Sequence, residues 1–364
     1  MFGLHITAPQ LFGQLLVGLI NGSFYALLSL GLAVIFGMLN IVNFAHGAFY
    51  MLGAFAAYFL LNLAGLNYWW ALILAPLAVG AIGALVHRSV IDPVRLVLYP
   101  LSIAALAYFA VTTTLFQPVS AWIEAHVGLA AATPGGGIEW AIGAILLVLA
   151  VVIGHFLIER IAKTQIEDHL YGLLLTFGLA LVIQGLFQNA YGSSGLPYPI
   201  PRQLQGAQNL GFMFLPNYRA WVIGFSVVVC FGTWFAIEKT SLGAYLRAAT
   251  ENPTMVRAFG INVPRMITLT YAFGVGLAAL AGVLAAPINQ VRPAMGADII
   301  SVVFAVVVIG GMGSILGSIL TGFALGLAEG LTKVFYSEAS NVVVFVIMAI
   351  VLLVKPTGLF GRAA

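Results

Sequence analysis

The chain has 364 residues, of which 62% are hydrophobic and only 7% charged, against about 25% charged in an ordinary soluble domain. That excludes a soluble globular protein. The net charge of +3 then reads as basic loops between membrane spans rather than as a nucleic-acid surface. The single cysteine, Cys230, lies in an apolar run, which excludes an internal disulfide and a cysteine metal cluster. It reads as a small core residue.

A spanning helix takes about 20 apolar residues. In chain order, candidate spans fall near 11–37, 44–62, 69–87, 97–116, 138–158, 171–190, 219–237 and 266–287, then a long apolar region at 298–333 and a last span at 341–355. No Lys or Arg precedes the first run, which is also too long for the apolar part of a signal peptide, so the start does not read as a cleaved leader. The region 298–333 is too long for one crossing and is divided by Gly310-Gly311-Met312-Gly313-Ser314. The expected fold class is all-α: a polytopic transmembrane helix bundle of about 9–11 segments, with broken or re-entrant helices, forming a single domain over residues 1–364.

Basic residues set the expected orientation. With residues 239–265 inside, the inner side holds Arg88, Arg95, Arg160, Lys163, Lys239, Arg247, Arg257, Arg265, Lys355 and Arg362. The outer side holds Arg202, Arg219, Arg292 and Lys333. This excess inside puts the N-terminus outside and the C-terminus in the cytoplasm. Trp69, Trp70, Trp122, Trp140 and Trp221 then fall near the outer interface, where indoles favour the headgroup layer. The outer loop 191–218 is stiffened by Pro197, Pro199 and Pro201.

Two breaks interrupt the apolar runs. Residues 37–47 place Asn40, Asn43 and His46 among apolar neighbours and glycines, without a Lys or Arg. Gly310, Gly311, Gly313 and Ser314 form the second break. Each reads either as a turn at the membrane edge or as backbone unwound at membrane depth; the latter is tolerated only where protein or a water-filled cavity covers it and points to a transport path. Asn21 and Ser23, inside the first span, either line the same path or hydrogen-bond between helices. His46 alone reads as a polar packing residue rather than a proton relay. Glu329 and Lys333 have the spacing of a local helical ion pair.

Small residues recur every fourth position: Ser314, Ser318, Gly322, Gly326 and Gly330; Gly274, Ala278, Gly282 and Ala286; and Gly18 with Gly22. Such faces let helices approach closely in lipid. The longest polar and basic stretch is residues 239–265, KTSLGAYLRAATENPTMVRAFGINVPR. Asn252 can cap a short helix with Pro253 at its first position, and Gly260 can end it. Met255 and Phe259 then share one face, an apolar knob with basic neighbours that suits a groove on a partner. No G-x-x-x-x-G-K-[ST] phosphate loop, H-E-x-x-H or nucleophile–base set is present, so no catalytic residue, metal site or cofactor is expected, and active transport would draw on another subunit.

Three stretches resemble the permease subunits of ABC importers for branched-chain amino acids, in particular the shorter, H-type subunit of the high-affinity leucine/isoleucine/valine system. They are residues 18–53 (GLINGSFYALLSLGLAVIFGMLNIVNFAHGAFYMLG), residues 159–185 (ERIAKTQIEDHLYGLLLTFGLALVIQG) and residues 243–286, continuing through GGMGSILGS to KPTGLFGR. The resemblance implies a transport subunit, not an enzyme, working by alternating access in the bacterial inner membrane. ATP would be used by two partner ATPases. A second related permease and an extracytoplasmic solute-binding protein are also implied, with membrane lipid around the assembly and no nucleic acid. It places Arg247, Glu251, Asn252, Met255 and Gly260 at the ATPase-docking surface, with Phe259 beside Met255. Asn21, Ser23, Asn40, Asn43 and His46 are the candidate substrate-pathway residues, together with the glycine break. Against the family pattern, residues 90–153 are an extra block, an inserted helical hairpin by its two apparent spans. That leaves urea, amides, aromatic acids or sugars open as cargo; a passive solute channel is the alternative of a different class.

Overall fold

A computed structural model describes residues 7–39, 43–88, 168–209, 211 and 213–361. The extra block at 90–153, Asn40 and the basic residues Arg95, Arg160, Lys163 and Arg362 lie outside them. The chain divides into two units, Met1–Ala84 with Gly172–Ala364 and Leu85–Tyr171. The first holds nearly all of the described residues.

The elements in order are α1 (Ala8–Leu39), α2 (Ala45–Asn62), α3 (Tyr68–Val86), α4 (Asp168–Tyr191), a short hairpin of β1 (Ala207–Asn209) and β2 (Phe214–Pro216), and α5 (Asn217–Glu238). Two short helices follow, α6 (Ser241–Glu251) and α7 (Pro253–Ala258). Then come α8 (Val263–Asn289), α9 (Met295–Gly310), α10 (Ile315–Phe335) and α11 (Val343–Val354). Among the described residues, six helices are long and apolar enough to cross a membrane, and α9 and α11 are shorter apolar helices. The chain is a multi-pass helical membrane protein. The region 298–333 is indeed two helices, although the first begins at Met295, and the last span is a helix of only 12 residues.

α1 is the axis of the unit. It packs on α10, α8, α5 and α9, and α2 packs on α8 and α9. Lipid offers no hydrophobic force to bring helices together, so contact depends on close backbone approach. Gly326 meets the backbone of Gly18 and Gly22, Gly330 meets Gln14 and Gly18, and Gly322 meets Ala26. The small-residue face of α10 therefore lies flat on α1. Gly274 of α8 meets Gly31, and Gly282 meets Tyr50 of α2, so the second ladder serves two neighbours.

One charged network crosses this seam. Glu329 is 6% exposed. Its carboxylate pairs with Lys333 Nζ at 2.5 Å and accepts from Tyr25 Oη at 2.7 Å and Asn21 Nδ2 at 3.2 Å. The local pair is present, but it also clamps α10 to α1. A buried carboxylate needs this number of partners, because an unpaired charge at this depth is costly.

The chain end closes the α9–α10 turn. Leu359 N–H donates to Ile309 O at 2.7 Å and Phe360 N–H to Gly310 O at 3.1 Å. These bonds satisfy the last carbonyls of α9, which have no partner within the helix. Gly311 has φ 99° and packs on Gly358 and Gly361.

A Gly326→Leu substitution must push α10 off α1. Overpacking typically costs about 1–3 kcal/mol, and with backbone on the facing side the upper end is expected. Gly178→Ala in α4, where nothing lies within 4 Å, should leave stability within about 0.5 kcal/mol. Thermal unfolding of the purified chain in detergent compares the two.

Candidate functional site

The start of α2 does not sit at the end of α1. His46 Nε2 lies 3.0 Å from Leu28 O, and Leu28 precedes the end of α1 by eleven residues, about 16 Å at 1.5 Å per residue. Phe44 N–H donates to Thr176 Oγ1 at 3.2 Å, eight residues into α4. Asn43 Nδ2 donates to Tyr271 Oη at 2.9 Å, eight residues into α8, in each case about 12 Å. By its register with α8, α2 begins about 12 Å along that helix, well inside a hydrocarbon core of about 30 Å. This register favours the deep reading of the first break over an edge turn.

The backbone donors of Phe44, Ala45 and His46 all have partners, as such a position requires, while His46 Nδ1 is buried without one among the described residues. Asn43 caps the helix through Oδ1, which accepts from Ala45 N–H at 3.0 Å, while His46 N–H donates to Asn43 O at 3.2 Å. Asn43 is 1% exposed and His46 fully buried. The His46 ring fits against Gly31, where any larger residue would displace it. α9 begins at the same depth, because Gly296 packs on the backbone of Gly47.

The other proposed pathway residues lie elsewhere. Asn21 belongs to the Glu329 network. Ser23 Oγ donates to Leu19 O of its own helix at 2.9 Å. Gly310 and Gly311 lie under the chain end, Gly313 lies beside Gly37, and Ser314 caps α10 by accepting from Gly317 N–H at 3.2 Å. The structure brings Asn43 and His46 together and gives the glycine break a packing and capping geometry at the end of α1.

Sequence reasoning missed a polar strip at the mouth of the same region. Asn289, Gln290, Arg292, Asp298 and Ser301 are all exposed on the α8–α9 turn and the first turns of α9. Arg292 Nη2 and Asp298 Oδ2 pair at 2.8 Å. The turn is pinned to the outer loop through reciprocal bonds between Leu196 and Val291, at 2.8 and 2.9 Å. An aspartate at the head of an apolar run, six residues after an arginine, was the available signal. In that outer loop Tyr198 is tucked in, and burial pushes its phenol up to about 12.

Residues 239–265 fold as a compact helical elbow. Asn252 Oδ1 accepts from Met255 N–H at 3.0 Å with Pro253 opening α7. Gly260, at φ 82°, ends it: Gly260 N–H donates to Arg257 O at 2.9 Å and Ile261 N–H to Val256 O at 3.4 Å. This is the paired-bond C-terminal cap that favours glycine. Asn262 repeats the device at α8, accepting from Arg265 N–H at 3.1 Å. Val256 turns inward onto Ala249 and Val263, so Met255 and Phe259 turn outward, 60% and 81% exposed. Glu251 and Arg247 are also exposed, and Arg247 lies 3.7 Å from Glu238.

The described helices form a membrane bundle with a capped polar elbow at one end, which fits the polytopic helical permease class that the family match shows. The family model described as branched-chain amino acid transport system / permease component matches residues 14–123 and 101–352, and the chain belongs to that family. It is 27% identical over 363 residues to the high-affinity branched-chain amino acid transport system permease protein LivH of Escherichia coli, covering 96% of this chain and 95% of that protein. BraD of Pseudomonas aeruginosa, a permease protein of the same description, is 27% identical with the same coverage. A probable branched-chain amino acid transport permease protein LivM of Methanocaldococcus jannaschii is 28% identical over 183 residues, 49% of this chain and 51% of that protein. No solved structure matches the chain.

Asn43→Ala removes the acceptor of Ala45 N–H at the start of α2 and the bond to Tyr271 Oη. A lost cap costs about 1 kcal/mol. Faster amide hydrogen exchange over residues 43–50 than over α1 is the expected signature.

Proposed function

We propose that the chain is a transmembrane subunit of an ABC importer in the bacterial inner membrane that carries branched-chain amino acids inward by alternating access. The observation that carries this reading is the similarity to LivH and BraD over nearly the whole of both chains. In this reading two ATPase subunits use the ATP, a second permease of the LivM kind completes the membrane part, and an extracytoplasmic binding protein delivers the solute. The N-terminus lies outside and the C-terminus in the cytoplasm, a reading supported by the excess of basic residues on the inner side.

The elbow of residues 239–265 is then the contact through which the ATPases move the helices. Its chemistry suits a groove: Met255 and Phe259 are apolar, exposed and held on a helix capped at both ends. Arg247, Glu251, Asn252 and Gly260 shape and rim it. Force applied there passes directly into α8, because only a few residues separate α7 from Val263. α8 in turn carries Tyr271, the partner of Asn43 at the start of α2. Movement of the elbow therefore bears on the break at mid-depth, where Asn43 and His46 lie closest to the proposed path.

The test is leucine uptake by the assembled importer in vesicles. The double variant Met255→Ala/Phe259→Ala removes two exposed anchors, each of the kind that contributes more than about 1 kcal/mol at an interface. A fall of roughly tenfold or more in ATP-driven uptake is expected, with unchanged membrane insertion and yield. Glu251→Ala should likewise uncouple ATP hydrolysis from uptake. Normal coupled transport in both variants would remove the docking assignment, and absence of leucine uptake by the unaltered importer would remove the cargo.

A further inference from the structure

We propose that Arg292 and Asp298 form a recognition point for the zwitterionic headgroup of an α-amino acid on its way through the membrane. This rests on the reading of the chain as an amino-acid permease.

The argument begins with depth. Asp298 stands two residues beyond Gly296, which packs on Gly47 at the start of α2, and Arg292 follows Val291, which is bonded to the outer loop, so the pair lies between that loop and the break. The side chains of Arg292 and Asp298 are nevertheless 46% and 51% exposed. Charges exposed at that depth cannot face hydrocarbon without a heavy cost. This flank of α9 therefore faces water or a partner subunit. Its polar neighbours extend the strip: Asn289, Gln290 and Ser301 are exposed with them. Tyr50, fully buried one turn into α2, is hydrogen-bonded to Asn289 and lies within electrostatic reach of both charges.

The contrast with Glu329 and Lys333 sharpens the assignment. That pair is buried and tied to Tyr25 and Asn21, and it serves the helix seam. The Arg292–Asp298 pair can be approached from outside the chain. It also sits on a fixed base, since Val291 is bonded both ways to Leu196 and Asp298 N–H donates to Ala294 O at 3.1 Å.

The chemistry follows from the two charges. With no solute present, each neutralises the other, so neither stands unpaired at depth. An arriving α-amino acid can exchange for both partners at once. Its carboxylate takes the planar guanidinium of Arg292, and its ammonium takes the carboxylate of Asp298. No charge is left uncompensated at any stage. A neutral sugar or urea would have to part the pair without supplying either replacement, so the pair selects against it.

The experiment uses the complete importer, with its ATPases and binding protein, in lipid vesicles. Initial leucine uptake is expected to fall at least tenfold in Arg292→Gln and in Asp298→Asn. ATP hydrolysis stimulated by leucine-loaded binding protein should stay within twofold of the unaltered importer. Arg292→Lys and Asp298→Glu, which keep the charges, should recover a substantial part of the uptake. Full uptake in both neutral variants would overturn the proposal, and so would parallel loss of uptake and ATP hydrolysis in all four, which marks a brace for the fold or for the second permease. A separate readout does not depend on the variants folding well. In a Cys230→Ala background, Ser301→Cys should react with a charged, membrane-impermeant thiol reagent in the assembled importer; protection throughout the transport cycle would also overturn it. If the unaltered importer carries no amino acid, the proposed cargo fails; if it does and the neutral variants match it, only the recognition point fails.

Discussion

Everything in the unit is arranged around one requirement, that the amide groups at the start of α2 be satisfied far from water. Phe44, Ala45 and His46 donate to Thr176, to the Asn43 side chain and to the Asn43 carbonyl respectively. Each partner belongs to a different arrangement: a neighbouring helix, a cap and a turn. With these bonds in place, a chain can leave α1 and re-enter as a helix at mid-depth. Without them the break would have to move to the membrane edge, and α2 would lose its alignment with α9.

Close backbone contact makes this possible. His46 reaches Leu28 because Gly31 leaves room for the ring and Gly274 lets α8 close over it. Tyr271 reaches Asn43 because Gly282 and Gly53 let α2 and α8 touch along their length. The glycine ladders therefore do more than hold helices together. They set side-chain positions to within hydrogen-bond reach, and the polar groups then fix the register that the bare faces leave open.

Much of this was legible in the sequence. Apolar runs gave most of the helices, the four-residue spacing of Gly322, Gly326 and Gly330 gave the packing face of α10 though not its partner α1, and Asn252-Pro253 with Gly260 gave α7 and its caps. These are local signals with local causes. What was not legible depended on tertiary placement. Residues 37–47 left both an edge turn and a deep break open, because depth is set by which residues of neighbouring helices lie alongside. Glu329 and Lys333 showed their spacing but not Tyr25 and Asn21, which lie some three hundred positions away. Asp298 carried no signal of its own beyond its place at the head of an apolar run. Its meaning came only from Gly296 resting on Gly47.

The seam between α1 and α10 also bears on how the chain is made. Asn21 and Glu329 are separated by 308 residues, so α5, α8 and α9 are all made before α1 meets α10. Until then Gly18 and Gly22 of α1 lack the backbone they pack on, and Tyr25 and Asn21 lack their acceptor. Glu329 arrives into the membrane with Lys333 already beside it on the same helix, so it enters as a neutral pair and not as a bare carboxylate. Biogenesis of this subunit thus depends on α1 keeping its place, unaided or in the shelter of the insertion machinery, until α10 has been made.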